Sequence, residues 1–94
     1  MYAMVCLQLS SSEEAIFLEC LGRAIRDCRW SMRLSQLAVA QRAEIERRAL
    51  HEIENAIAEE CTVETLRRIA NALEVPAAYL MKQAEERMRF QSKR

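Results

Sequence analysis

Four polar residues near the middle of the 94-residue chain have a spacing that would place them on adjacent turns of one helix face. They are two arginines, a histidine and a glutamate: Arg47, Arg48, His51 and Glu52. Guanidinium groups near a helix N-terminus match O6 and N7 of guanine, and a carboxylate can accept a hydrogen bond from N4 of cytosine. The spacing therefore makes these four residues candidates for contacts with the edges of DNA bases.

Ser35 and Gln36 form a second candidate site, because a separate helix is predicted to begin there. The N–H groups of a first helical turn lack intrahelical acceptors, and the helix dipole adds partial positive charge. Both effects favour a phosphate group. The amide of Gln36 can also donate to a phosphate oxygen while it accepts from a neighbouring group. We therefore expect Ser35 and Gln36 to contact the DNA backbone.

A purely structural interpretation of the first site stays open. Arg48 and Glu52 are four residues apart, and such pairs form exposed ion pairs on helices that contribute a few tenths of a kcal/mol. His51 follows two arginines closely and fits a surface or groove-edge position better than a ligand position.

Catalytic, metal-binding and cofactor-binding chemistry has little support in the composition. The chain has one His, one Asp and one Gly, which excludes glycine-rich phosphate loops and leaves few groups for a catalytic site. The four cysteines, at positions 6, 20, 28 and 61, include no C-x-x-C pair. We expect no enzyme activity, no cofactor and no metal, and we expect the cysteines to be reduced core residues.

The sequence also predicts a cytoplasmic protein without a membrane partner. No segment approaches the roughly 18 apolar residues that a membrane span needs. The apolar segment Met1–Leu9 is too short and lacks the positive flank of a signal peptide.

The elements that must position these side chains are helices. Apolar residues make up 51% of the chain and charged residues 30%, and one Gly and one Pro supply few turns for strands. Apolar stripes and capping residues predict an all-α fold with five helices. They run from Ser12 to about Trp30, over Gln36–Ala43, Glu46–Asn55 and Val63–Leu73, and from Pro76 to about Phe90. The predicted inward-facing residues include Leu18, Leu21, Ile25, Cys28, Ile45, Ala49, Leu50, Ile53, Val63, Leu66, Ile69, Ala70 and Leu73.

Four ordered fragments carry a resemblance to a known family. They are Leu21-Gly22-x-x-Ile25-Arg26-x-x-Arg29, Leu34-Ser35-Gln36-x-x-x-Ala40, Ile53-Glu54-Asn55 and Thr65-Leu66-x-x-Ile69-Ala70-x-Ala72-Leu73-x-Val75. In this order, residues 21–80 resemble the lambda-repressor/Cro-like (XRE) helix-turn-helix transcriptional regulators. The resemblance implies a compact five-helix DNA-binding domain in which the second motif helix contacts bases. It also implies a structural ion pair between Arg29 and Glu54.

The chain departs from the family pattern at both ends of the second motif helix. Glu44 and Ala56 stand where the family usually has glycine, so either a left-handed backbone is tolerated there or the turns differ. The segment Ile57–Cys61 is acidic, and the net charge changes from +4 over residues 23–48 to −5 over residues 49–66. Because like charge beside phosphate weakens binding, either this loop points away from DNA or DNA binding is weakened.

The predicted organisation has three parts: an N-terminal arm or short strand over residues 1–11, a helix-turn-helix domain over 12–80 and a C-terminal helix extension over 81–94. The extension is a candidate for dimerisation, with the arm a second candidate. The candidate dimer residues are Tyr79, Leu80, Ala84 and Met88. The aromatic residues that fit a core or a dimer interface better than a base-stacking platform are Trp30, Tyr79 and Phe90.

Two functions are therefore considered. The first is a sequence-specific DNA-binding repressor that inserts helix 46–55 into the major groove of double-stranded DNA, as a homodimer on a two-fold operator. The second is a degenerate helix-turn-helix interaction module, such as an antitoxin or adaptor, with weak or no DNA binding and a basic protein partner.

Overall fold

Five α-helices make up most of residues 11–92, the part of the chain that this computed structural model describes. They are α1 (Ser11–Ser31), α2 (Gln36–Ala43), α3 (Arg47–Glu54), α4 (Val63–Ala72) and α5 (Ala77–Ser92). Between residues 11 and 92 there is no strand, so the all-α, five-helix prediction is confirmed. The predicted arm lies outside the described residues except for Ser11, with which α1 begins.

Two of the helices begin at side-chain caps that the sequence predicts. The hydroxyl of Ser35 accepts a hydrogen bond from the backbone N–H of Ala38 at 3.0 Å, and that of Thr62 accepts from the N–H of Thr65 at 3.1 Å. A cap supplies an acceptor to a first-turn N–H that otherwise has none. The bounds of α2 agree with the prediction, whereas α3 is one residue shorter at each end and α5 begins just after Pro76.

Each of the first four helices is followed, one or two residues after its end, by a residue in the left-handed region that is not glycine. In every case the N–H of the following aliphatic residue bonds to the carbonyl five positions earlier, which is the Schellman arrangement. A side chain in this conformation costs on the order of 1 kcal/mol. The family-type turns are therefore kept without their glycines. The four residues, with φ between 58° and 61°, are Arg33, Glu44, Ala56 and Glu74.

The core lies where α1 packs against α3 and α5 and where α2 packs against α3 and α4. Its largest fully buried side chains are Ile25, Leu50, Ile69, Leu73, Leu80, Val39 and Cys20. The single glycine, Gly22, lies inside α1 and faces α3. A Cβ added to it would lie only 2.1 Å from the carbonyl oxygen of Ile53. This glycine therefore permits a close helix approach instead of a turn.

Several burial predictions are wrong. Val63, placed on the inner stripe of α4, is 74% exposed because it is the first residue of that helix. Leu80 and Ala84, placed on a dimer surface, are fully buried in the protein's own core, and Met88 also packs against that core. The sequence predicts that Trp30, Tyr79 and Phe90 belong to the core or to a dimer interface; all three are exposed, so the core alternative is wrong.

None of the described helices is both long enough and apolar enough to cross a membrane. Within residues 11–92, the three cysteines are free thiols. Cys20 is buried, and Cys28 and Cys61 are half-buried and pack against the core. Burial raises the pKa of all three thiols, and that of Cys61 to about 11, so they stay protonated at neutral pH.

Candidate nucleic-acid interface

A buried ion pair joins α1 to the last residue of α3. The guanidinium of Arg29 donates from Nε to Glu54 Oε2 at 2.7 Å and from Nη2 to Glu54 Oε1 at 2.8 Å. Arg29 also donates from Nη1 to the carbonyl oxygen of Leu34 at 2.9 Å, which ties the pair to the segment before α2. Both side chains are at least nine-tenths buried. Removing either partner would leave a buried charge without compensation.

Gln36 connects this buried pair to the protein surface. Its Nε2 donates to Glu54 Oε1 at 3.0 Å, and its Oε1 accepts from Arg47 Nη1 at 3.2 Å. Because Oε1 accepts and Nε2 donates, the two contacts orient the amide. The first residue of α2 and the first residue of α3 are therefore held side by side. Ser35, next to Gln36, is exposed and uses its hydroxyl as the cap of α2.

The four predicted base-contacting residues all lie on α3. Arg47, Arg48 and His51 are exposed, whereas Glu52 is half-buried. Arg48 and Glu52 also form the ion pair that the structural interpretation predicts, with Arg48 Nε 3.3 Å from Glu52 Oε2. The side chain of Arg48 is 83% exposed, so this contact is a weak surface ion pair that leaves the guanidinium accessible.

Sequence reasoning missed two further contacts around α3. Asn55 donates from Nδ2 to the carbonyl oxygen of His51 at 2.8 Å and closes the end of the helix. Arg68 of α4 reaches the turn before α3, where it lies 3.4 Å from Glu44 Oε1. Asn55 belongs to the family fragment Ile53-Glu54-Asn55, but the sequence did not indicate that its side chain bonds to a backbone carbonyl. No local pattern connects Arg68 with Glu44, because the two residues are 24 positions apart.

The acidic segment after α3 lies beside the N-terminal half of α1. A groove of about 290 Å³ separates Ala15 and Leu18 from Ala56, Ile57 and Ala58. Two acidic side chains of this segment, Glu59 and Glu60, are exposed. Ile57 is exposed as well. The residues that follow the left-handed residue after α1, α2 and α4 instead pack against the core; they are Leu34, Ile45 and Val75.

The described residues contain no group of three or more His, Cys, Asp or Glu side chains that could hold a metal ion. The polar groups that come together here are instead cationic side chains, amides and a helix N-terminus. Such groups match the acceptors of phosphates and of purine edges.

Comparison with known proteins identifies the family to which this fold belongs. A family model described as "Helix-turn-helix domain" matches residues 21–80. The clp gene regulator ClgR from Corynebacterium glutamicum is 25% identical to this chain. The aligned region of its crystal structure covers 82% of this chain and 81% of that chain, with a TM-score of 0.77. A second ClgR structure covers 77% of this chain and 92% of that chain, with a TM-score of 0.72.

The restriction-modification controller protein C.AhdI from Aeromonas hydrophila is similar in fold. The match covers 67% of this chain and 94% of C.AhdI, with a TM-score of 0.65. At 22% identity this likeness shows the fold alone. The search of curated proteins finds no match.

Proposed function

The chain belongs to the helix-turn-helix domain family of lambda-repressor-like DNA-binding regulators, and on that premise we propose that it is a repressor that inserts α3 into the major groove. The observation that carries the proposal is the hydrogen-bonded series from buried Glu54 through Gln36 to exposed Arg47. It joins the base-contacting helix and the phosphate-contacting helix N-terminus in one unit. A unit oriented before binding loses less conformational entropy when DNA binds.

Base contacts are assigned to the exposed face of α3. An α-helix with its side chains is about 10–12 Å across, which fits a major groove about 12 Å wide. Arg47 and Arg48 donate to guanine, while His51 and Glu52 contact the next bases. The ion pair between Arg48 and Glu52 does not oppose this role. An exposed pair of this kind contributes a few tenths of a kcal/mol, against about 1–3 kcal/mol for a bidentate base contact.

Phosphate contacts are assigned to Ser35 and Gln36 at the N-terminus of α2. The amide nitrogen of Gln36 uses one hydrogen for Glu54, and its second hydrogen is available to a phosphate oxygen. Arg47, bonded to the same amide, places a positive charge beside that position. The contact therefore positions α3 on the DNA without reading the sequence.

A homodimer on a two-fold operator completes the proposal. One motif contacts few base pairs, so two copies on half-sites about 34–36 Å apart raise the selectivity. With Leu80 and Ala84 buried, the apolar side chains that α5 offers to a second copy are Tyr79, Met81 and Phe90.

The test is fluorescence anisotropy on labelled duplexes selected by the protein from a randomised pool. Arg47→Ala and Arg48→Ala should each weaken binding to a selected duplex by about tenfold or more and relax the preference over mixed-sequence DNA. Lys82→Ala removes one positive charge from the exposed surface of α5 and should change affinity less. If both arginine variants bind the selected duplex as tightly as the unaltered protein does, the assignment of base contacts to α3 is contradicted. Absence of DNA binding by the unaltered protein at about 50 mM salt would contradict the proposed function itself.

A second candidate function, a protein-interaction module, is supported by the segment after α3. It presents Glu59 and Glu60 beside the exposed side chains of Ile57 and Val63, a combination that fits a basic and partly apolar partner. This candidate predicts no retention on DNA at about 50 mM salt. It also predicts that Glu59→Gln with Glu60→Gln weakens capture of a basic partner.

A further inference from the structure

Arg26 differs from its two arginine neighbours on α1. Arg23 pairs with Glu19 at 3.0 Å, and Arg29 pairs with Glu54 at 2.7 Å. Among residues 11–92, Arg26 has no carboxylate partner, and its buried Nε has no hydrogen-bond partner. A guanidinium with a donor that lacks an acceptor is destabilised. Arg26 as a whole is half-buried and lines a groove, so an acceptor from outside the chain can approach its guanidinium there.

The surroundings of Arg26 form a small groove open to such an acceptor. The groove has a volume of about 210 Å³ and lies between α1 and the end of α3. Two carboxylates line it, but Glu19 and Glu54 are already paired with Arg23 and Arg29. The positive charge of Arg26 is therefore the one that remains uncompensated in this groove. The groove thus favours a small anion.

The guanidinium of Arg26 is held in place by the side chain of Trp30. Its Cζ lies 5.0 Å from the centre of the indole ring, within the range of a cation–π contact. Trp30 is 58% exposed and is not among the residues that line the groove. The only tryptophan of the chain is thus an optical probe placed beside the candidate site.

The groove shares one residue with the series that supports the proposed DNA-contacting surface. Glu54 lines it and also belongs to the series that reaches Gln36 and Arg47. Asn55 lines it too, but its Nδ2 already donates to the His51 carbonyl at 2.8 Å and lies 3.3 Å from His51 Nδ1. Arg26 is therefore the donor that this groove offers to a phosphate, and Glu54 links the groove to the proposed phosphate contact of Gln36.

We propose that Arg26 binds a backbone phosphate of DNA in the groove between α1 and the end of α3. This inference rests on the proposed function and adds a contact from α1 to those of α2 and α3. The contact is independent of sequence, because a phosphate has the same form at every step of the duplex.

The first test measures how affinity depends on salt, with a mixed-sequence duplex of about 30 base pairs. Each neutralised phosphate contributes about 0.9 to the slope of log affinity against log salt. Arg26→Gln should reduce that slope by about 0.9 and weaken binding about tenfold, equally on mixed and selected duplexes. Lys82→Gln, which removes one charge from α5, should leave the slope nearly unchanged. A slope and affinity of Arg26→Gln equal to those of Lys82→Gln would overturn the proposal.

The second test uses the unaltered protein and so does not depend on the folding of a variant. Saturating mixed-sequence duplex should shield Trp30 from acrylamide quenching and change its emission. Unchanged quenching in the DNA complex would overturn the proposal. A parallel titration with inorganic phosphate separates the two sources of the anion. A response to phosphate at concentrations below those of ordinary buffers, with none to DNA, would assign the groove to a free anion and also overturn the proposal.

Failure of this inference is distinguishable from failure of the proposed function. If the unaltered protein binds DNA and Arg47→Ala weakens that binding while Arg26→Gln does not, α3 keeps its role and Arg26 loses its assigned contact. If the unaltered protein does not bind DNA at all, both proposals fail. Thermal melting of Arg26→Gln should show a folded protein at the temperature of the binding experiments.

Discussion

The two connections that flank α3 share a backbone pattern but differ in what anchors them. The turn before α3 has Glu44 in the left-handed region followed by Ile45, and the segment after α3 has Ala56 followed by Ile57. In both, the N–H of the isoleucine bonds to the carbonyl five residues earlier, at 3.0 Å and 2.9 Å. Yet Ile45 packs against the core, whereas Ile57 is 59% exposed.

The turn before α3 also has a charged contact that attaches it to the rest of the protein, whereas the segment after α3 presents exposed acidic side chains. Arg68 of α4 contacts the carboxylate of Glu44 and the carbonyl of Ala43, so the first turn is attached to a second helix. The segment after α3 instead presents the exposed side chains of Glu59 and Glu60. A Schellman turn therefore ends a helix in both places, but burial of the next residue decides how firmly the connection is held.

This difference assigns separate tasks to the two sides of α3. The turn before α3 sets the angle between the two motif helices. The far end of α3 is held by α1, through the close approach at Gly22 and the ion pair of Arg29 with Glu54. The predictions below test whether α1, and not the segment that follows α3, anchors that end.

Glu54→Ala should have the largest effect. It leaves the buried guanidinium of Arg29 unpaired and removes the acceptor of Gln36, so we expect a loss of about 3–5 kcal/mol in the free energy of unfolding. Urea denaturation followed by circular dichroism measures this loss. Glu52→Ala is the matched control on the same helix, and it should cost less than about 0.5 kcal/mol because its ion pair is exposed. Similar losses in both variants would mean that the pair does not anchor α3.

Gly22→Ala should come next, with a loss of about 2–3 kcal/mol. The added Cβ meets the backbone oxygen of Ile53, which cannot rotate away, so α1 and α3 must separate. Thermal and urea unfolding give the change in stability, and the affinity for DNA should fall with it. Arg23→Ala, at the exposed neighbouring position, should change stability by less than about 1 kcal/mol. A fully stable Gly22→Ala variant would show that the close approach is not required.

The two isoleucines provide the direct comparison of the connections. Ile45→Ala should cost about 2 kcal/mol because it removes a side chain packed against the core. Ile57→Ala should cost less than about 0.5 kcal/mol because that side chain already lies mostly in water. The measurement is the same unfolding experiment. Equal losses would remove the distinction between the two sides of α3.

The smallest effects should be stabilising and should come from glycine in the left-handed positions. Ala56→Gly should raise the free energy of unfolding by about 0.5–1 kcal/mol, because it removes the steric cost of a Cβ at φ 59°. Glu44→Gly should gain less, since it also loses the contact with Arg68. Glu44→Ala serves as the control: it loses that contact but keeps a Cβ, and it should not be stabilising. A loss of stability in Ala56→Gly would contradict this account.

Much of the secondary structure was predictable from sequence because its causes are local. The caps at Ser35 and Thr62 act on N–H groups three residues away, and the apolar stripes repeat with the helical period. The resemblance to the family added Arg29 and Glu54, which are 25 residues apart and which no local pattern connects. The candidate interface was predictable as a set of residues on one helix, but its hydrogen bonds were not.

Only the tertiary structure decided how the unusual positions are used. Glu44 and Ala56 stand where the family usually has glycine, so the sequence left the backbone conformation open at both positions. Both adopt the left-handed conformation, because the packing of the helices determines the path of the chain there. The one glycine serves instead where α1 touches α3. Likewise the sequence predicts Val63 on an inner stripe and Leu80 on a dimer surface, but Val63 is exposed and Leu80 is buried. Local periodicity determines which residues share a helix face, and the other helices decide whether that face is covered.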